Sequence, residues 1–154
     1  MKISEQLQPL AVSIDKITLD PKNARLHLDL NLKAIIKSLE IYGQRKPIVV
    51  NKNTGFIEAG NGLLAAAKTL GWEEISVVFV NDDKDTAAAY GLMDNKSALL
   101  ADWDLPNLKE ILEGFDSTKF ELSSSGFSQK EIKELFEPVA PERKYELPIE
   151  QRLC

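Results

Sequence analysis

Two glycines bracket one asparagine at Gly60-Asn61-Gly62, after the apolar "GFIEA" and before the alanine-rich "LLAAAKTL". A glycine-rich turn between a strand and a helix leaves backbone N–H groups free and lets a ligand approach the backbone. It also places that ligand at the positive end of the helix dipole. This is chemistry for holding an anion, phosphate above all. The residues match neither GxxxxGK(S/T) nor GxGxxG, the patterns with real phosphate specificity. Taken alone they fit a structural turn better. A second group, Gly43-Gln44-Arg45-Lys46 in "YGQRKPIVV", joins a helical pattern to a strand pattern. Gln44 and Arg45 in such a loop can reach a phosphate or a base; a solvated basic loop is the simpler use. Asp94-Asn95-Lys96 falls inside a helical stretch, where Asp and Asn cost helix stability. These residues either break a surface helix or contact a bound ligand or metal. The acids of "ADWD", around Trp103, read as helix caps.

Other chemistries are absent from the sequence. There is no GxSxG and no HExxH, and no cysteine lies near the lone His27. The one thiol, Cys154, is the last residue and can form no internal disulfide; with one histidine, a His/Cys zinc site is set aside. No metal site is expected from the residues themselves, and no catalytic residue stands out.

The elements that must position these groups follow from pattern. Residues 1–11 read as a flexible arm. "VSIDKITLD" is a broken strand, and "DPKNARLH" is turn chemistry around Pro21, Asp20 and Asn23. "NLKAIIKSLEIYG" predicts a helix capped by Asn31 and closed by Gly43, with Leu32, Ile35, Ile36 and Leu39 on one face. "PIVVN", "KNTG" and "FIEAG" predict a hairpin. A helix over "LLAAAKTL" stops at Gly71, and "ISVVFVN" is apolar enough for a central strand. "DDKDTAAAYGLMDNKSALLADW" is helical with a break expected near Gly91 or Asp94. "DLPNLKEILEGF" is a helix capped by Asp104, with Leu105, Leu108, Ile111, Leu112 and Phe115 on one side. "SQKEIKELF" opens with Ser128 and Glu131 at capping-box spacing. From Pro138 onward the chain has three prolines and no periodicity, and reads as a tail or linker.

The 154 residues suit one domain with a small appendage, and 44% hydrophobic with 28% charged residues is ordinary for a globular protein. No apolar run approaches the roughly 20 residues of a membrane span, and the N-terminus lacks the apolar core of a signal peptide. A cytoplasmic location is expected. The net charge of −5 speaks against indiscriminate nucleic-acid binding. The charge is unevenly placed: residues 21–68 hold eight Lys/Arg against three Asp/Glu, and residues 69–154 hold nine against eighteen. The first of these halves is the one that could face phosphate.

Taken in order, "ITLDPKNAR", "NLKAIIKSLEIYGQRKPIVV", "TGFIEAGNGLLAAAKTLGW", "ISVVFVN" and "LMDNKSALLADWDL" resemble the ParB/sulfiredoxin-like family over about residues 12–105. The resemblance implies an α+β (or α/β) domain over residues 12–104, a small mixed sheet with helices packed around it. A helical extension over 105–137 and the tail over 138–154 follow. It also implies binding of a nucleotide, CTP or ATP, with magnesium. Gly43, Gln44 and Arg45 resemble the nucleotide-contacting loop, Gly60, Asn61 and Gly62 the phosphate turn, and Asp94 with Asn95 the metal- or phosphate-proximal helix. Arg25, in the N-terminal box, and Lys46 are candidates for contact with nucleic acid. Where ParB carries Glu-Arg-Arg this chain has Asn61-Gly62-Leu63, without the two arginines. Asparagine also stands where sulfiredoxin has its catalytic cysteine, so sulfinic-acid reduction is not expected.

"AGNG", "LADWD" and the later Gly126-Phe127-Ser128 with Glu131-Ile132 are similar to a phage and mobile-element branch, often fused to or encoded beside DNA methyltransferases. The implied function is a nucleotide- or nucleic-acid-phosphate-binding module acting in DNA transactions. Its partner would be DNA, a DNA-processing protein or a methyltransferase, and it could be a homodimer. Two alternatives stand beside it. One is an enzyme on the same fold (nuclease, NTPase or small-molecule kinase), with Asp94, Glu58 and Asp102 as the available acids. The other is an interaction domain with a degenerate site.

Overall fold

The computed structural model describes residues 2–137. A 3-10 helix (Glu5–Leu10) leads into β1 (Ala11–Ser13) and a second 3-10 turn (Ile14–Lys16). Then come α1 (Asp29–Tyr42), β2 (Ile48–Asn51), β3 (Ile57–Ala59), α2 (Asn61–Thr69), β4 (Glu74–Val80) and α3 (Lys84–Leu100). α4 (Leu105–Glu113), a 3-10 turn (Leu122–Ser125) and α5 (Gln129–Phe136) complete the order. The four strands form one mixed sheet, β1-β4-β2-β3, in which β4 runs parallel to β2 and the outer pairs are antiparallel. As its apolar run predicts, β4 is internal, and Ile75 and Val77 are buried.

The core lies between the sheet and the α1/α2 pair, and holds Leu39, Ile48, Val50, Ile57, Leu64, Trp72 and Ile75. Ala66 and Ala67 are fully buried; side chains this small let α2 lie close to the sheet. The hairpin turn is built by Asn51, whose Oδ1 accepts from the N–H groups of Asn53 (3.0 Å) and Thr54 (3.3 Å). This is the local bonding that makes asparagine a turn residue.

Three expectations are corrected. The opening residues are not a free arm: Ile3 is buried in the core, and Ser4 N–H and Gln44 N–H bond to Gln44 O (3.1 Å) and Lys2 O (2.8 Å). Apolar side chains at Ile3 and Leu7 give the segment something to bury, which the acids and amides around them mask in the sequence. α1 begins at Asp29 with Leu28 in the cap position, and Asn31 lies inside the helix, where its Oδ1 pairs with His27 Nδ1 at 2.7 Å. α3 runs unbroken for 17 residues through Gly91 and Asp94. It crosses β3 at Gly91, where a Cβ would come within 2.8 Å of the Glu58 carbonyl oxygen. The glycine is there for close approach rather than for a break.

The C-terminal caps match expectation. Asp104 accepts from Asn107 N–H (3.2 Å), and Ser128 and Glu131 form a reciprocal capping box. Of the α4 stripe, Leu108 and Leu112 are buried, while Leu105 and Ile111 are exposed. The proline-containing tail, 138–154, lies outside the described residues. No helix among the described residues is long and apolar enough to cross a membrane.

Three carboxylates are held below their usual range by hydrogen bonds they accept: Asp83 from Thr86, Asp116 from Thr118 and Glu131 from Ser128. A carboxyl whose value is lowered by folding stabilises the native state above its ordinary value, 3.8 for Asp83, and that stability drains as pH falls through the lowered value. Helicity followed by circular dichroism is therefore expected to stay flat from neutral pH down to about pH 5 and to fall below about pH 4. A rise in helicity on acidification would contradict this.

Candidate functional site

The hairpin turn, the loop after β4 and the loop before α1 converge on one side of β3, with α3 lying across them. Together they enclose a cleft of about 1140 Å³, at or above the usual upper size of a small-molecule site, about 1,000 Å³. Its lining comes from Asp20–Leu26, from Asn51 to Glu58 along the hairpin, from Asn61, and from Asp82 through the inward side of α3 to Leu99.

Three of the sequence-predicted residues meet here: Arg25, Asn61 and Asn95. Asn61 stands at the start of α2, and its Oδ1 accepts from Asp20 N–H at 3.1 Å. The loop it pins is stiffened from within. Asp20 Oδ1 accepts from Lys22 N–H (2.8 Å), and the Asn23 side chain bonds Arg25 in both directions (2.9 and 3.2 Å). Arg25 Nη1 in turn donates to Asn95 O at 3.3 Å, tying the loop to α3 across 70 positions of sequence. The Asn95 side chain bonds back to Gly91 O (2.8 Å), so its amide is half used by the helix.

The two glycines beside Asn61 have different reasons. Gly60 is the N-cap of α2 with φ 104° and ψ 20°, a left-handed conformation that L side chains rarely adopt. It turns the chain into α2, whose first residue, Asn61, lines the cleft, whereas Gly60 and Gly62 do not. Gly62 is a packing residue: a Cβ there would meet His27 Cε1 at 2.6 Å and Ile35 Cδ1 at 2.9 Å. It lets α1 and the His27 ring close on α2.

The basic loop lies elsewhere. Gln44 is fully buried and acts as a brace: its Oε1 accepts from Ser76 N–H (2.8 Å), and its Nε2 donates to Ser76 O (3.0 Å) and Lys46 O (2.9 Å). The side-chain amide thus pairs with β4 where β2 has not yet begun. Gly43 closes α1 with its N–H on Leu39 O (3.0 Å). Arg45 sits over the Tyr42 ring (5.3 Å) and borders a separate shallow hollow with Ser4, Gln6 and Leu7. Lys46 is exposed on the same loop, and Asp94 is exposed on α3. None of these five lines the cleft.

The cleft also holds Lys22 and Lys84, which pattern reading did not single out, and Lys96 and Glu58, which it named as a possible ligand contact and as an available acid. Lys22, Lys84 and Lys96 add cations to Arg25. Of the acids, Asp83 is spent as the cap of α3, accepting from Asp85 and Thr86 N–H at 2.9 Å. Glu58 is different. It is 8% exposed, in the three-residue buried strand β3, and its Oε1 accepts from Asn51 Nδ2 at 2.9 Å. Its Oε2 has no hydrogen-bond partner. An acid inside an apolar strand is the one signal in the sequence for this. Among the described residues no group of three or more His, Cys, Asp or Glu is placed to hold a metal ion.

No protein-family model matches the chain, and no curated protein sequence is similar to it. Solved structures are similar in fold. The C-terminally truncated chromosome-partitioning protein ParB from Caulobacter crescentus, complexed with CTP-gamma-S, superposes with a TM-score of 0.66 at 17% identity, over 81% of this chain and 74% of that one. The same ParB complexed to the centromeric parS site gives 0.47 at 16% identity, over 81% of this chain and 68% of that one. Sulfiredoxin from Arabidopsis thaliana gives 0.44 at 22% identity, over 53% of this chain and 97% of that one. With its mixed four-stranded sheet, its helices around that sheet and its superposition on the first of these, the chain has the ParB/sulfiredoxin-like fold.

Proposed function

We propose that this chain binds a nucleotide, or the phosphates of a nucleic acid, as an accessory module in DNA transactions: partition, DNA modification or phage DNA metabolism. One observation carries the reading. Asn61 at the glycine-turned start of α2 and Arg25, far apart in sequence, line the same cleft, and Arg25 is bonded to Asn95 of α3. Free N–H groups at a helix start, a fixed arginine and polar amides are what a phosphate needs. A similar fold complexed with CTP-gamma-S in the Caulobacter ParB supports a nucleoside triphosphate as the ligand. Magnesium would arrive on the phosphates, keeping most of its waters and needing one or two carboxylates at most. Asp82 and Glu58 are the cleft acids not spent on backbone caps. A phage or mobile-element setting, a methyltransferase as neighbour or fused domain, and a homodimer belong to the same reading.

The test separates the two sets of cations. Calorimetric titration with CTP and ATP, with and without magnesium, should show saturable binding. Arg25→Ala should weaken it about tenfold or more, since a hydrogen bond to a charged group is worth roughly 1.5–3 kcal/mol. Arg45→Ala, outside the cleft, should leave it unchanged. Binding lost in Arg45→Ala but kept in Arg25→Ala would move the site to the other loop. Magnesium-dependent nucleotide turnover would instead favour an enzyme on this fold.

A further inference from the structure

Residues 20–26 line the cleft and belong to no helix or strand. They are strung between Thr18, which bridges to Phe56, and Leu28, the N-cap of α1. Among the described residues, two hydrogen bonds tie this segment to other elements. Asn61 Oδ1 accepts from Asp20 N–H at 3.1 Å, and Arg25 Nη1 donates to Asn95 O at 3.3 Å. Its remaining bonds are internal: Asn23 N–H to Asp20 O (3.1 Å), Lys22 N–H to Asp20 Oδ1 (2.8 Å), and the Asn23–Arg25 pair (2.9 and 3.2 Å). The bond from Asn61 is the one that fixes the main chain of the segment, and Asn61 is itself held still. A Cβ on Gly60 would lie 2.6 Å from Ile48 Cγ2, and one on Gly62 would lie 2.6 Å from His27 Cε1. Close packing on both sides leaves the start of α2 no room to shift.

Arg25 is what this segment brings to the cleft. A guanidinium carries several N–H donors in a rigid fork. Arg25 uses Nη1 on Asn95 O and takes part in no ion pair among the described residues, so the rest of the fork is left for an anion. We infer that Asn61 is a positioning residue: through Asp20 N–H it holds the Asp20–Arg25 loop so that Arg25 is already in place when a phosphate enters. The ligand in this inference rests on the nucleotide reading above. A loop ordered before binding spares the entropy that ordering it on binding would cost. The role is the reverse of a phosphate contact. Asn61 Oδ1 serves the chain's own backbone, and the charge that meets the anion comes from a loop 36 positions earlier.

The test has two arms. Amide hydrogen exchange followed by NMR reads the Asp20 N–H directly, with no ligand present. Asn61→Ala should speed exchange at Asp20 about tenfold, the upper end of what one neutral hydrogen bond is worth. The amides of β4 should keep their protection, which shows that the variant is folded. Asn61→Asp, which keeps an oxygen where Oδ1 stands, should restore slow exchange at Asp20. The aspartate's charge would itself repel phosphate, so this variant serves the exchange arm alone. In the binding arm, calorimetry with CTP and ATP compares Asn61→Ala, Arg25→Ala and the double variant. Asn61→Ala should weaken binding about three- to tenfold, the cost of ordering a side chain or loop on association. In the Arg25→Ala background the same substitution should change nothing, because a residue that acts through another has no effect once that other is gone. Losses that add would make Asn61 a phosphate contact in its own right and overturn the inference. So would exchange at Asp20 that ignores Asn61→Ala, or nucleotide binding that does; in each case the nucleotide reading stands without it. If the wild type binds no nucleotide at millimolar concentration and low salt, both fall.

Discussion

Gln44→Leu is expected to destabilise the fold by about 4 kcal/mol, because it strands buried backbone groups that cost roughly 1–3 kcal/mol each when unpaired. The leucine fills much the same volume but offers no amide. Ser76 N–H and Ser76 O, both bonded to the Gln44 side chain in a residue that is fully buried, are left without partners. Lys46 O loses a donor as well, although it lies nearer solvent. Against a total stability of roughly 5–15 kcal/mol, such a loss would leave a marginal protein. The measurement is urea unfolding. A change under about 1 kcal/mol would mean that water or a local shift replaces the amide, and the brace would not be what holds β4 ahead of β2. Any loss of nucleotide binding in this variant should track unfolding and disappear below the melting temperature. A Gln44 that touched ligand would instead lose binding while the protein stayed folded.

Gly60→Ala is expected to be nearly as damaging, at about 3 kcal/mol, from two causes that add: backbone strain and overpacking. At φ 104° the alanine must occupy a left-handed conformation that favours glycine. Its Cβ would also lie 2.6 Å from Ile48 Cγ2 and 3.0 Å from Ile48 Cβ. Ile48 is 1% exposed on β2, and its branched carbon is too close to the backbone to swing aside. Gly55 separates the two causes. It also has positive φ, 70°, but nothing lies within 4 Å of its missing Cβ. Gly55→Ala should therefore show the strain without the clash and cost clearly less. Equal melting temperatures for the two variants would refute the close-packing account of Gly60.

The two large effects fall on residues that sequence reading placed at the phosphate site, and both are structural. A buried glutamine bonded to a neighbouring strand and an exposed glutamine facing a ligand are the same letter after the same glycine. What separates them is whether β4 lies alongside, and β4 is 32 positions away. Arg45 and Lys46 follow Gln44 outward to the surface, so the whole basic loop leaves the cleft once Gln44 turns inward. Arg25 went the other way. In sequence it was a candidate for contact with nucleic acid, like Lys46; in the fold it lines the cleft and bonds to Asn95. Glu58 was visible only as an acid in an apolar strand, one of three acids available to an enzyme. Its buried, unpartnered Oε2 and its hydrogen bond from Asn51 could be seen only with the hairpin closed.

What the sequence determined by itself is local. Strands over Ile48–Asn51 and Glu74–Val80, the alanine-rich helix after Asn61, the Asp104 cap and the Ser128–Glu131 box were all legible. Each rests on bonds or periodicities within a turn or two of the chain. Even the order of motifs was enough to resemble the fold that superposition shows. The tertiary structure alone decided which polar residues share a space. The sheet order β1-β4-β2-β3 and the crossing of α3 over β3 at Gly91 bring residues near 20, 60 and 95 around one cleft and send 43–46 elsewhere. That choice is made by which apolar faces are buried against which. Each candidate side chain follows the element that carries it.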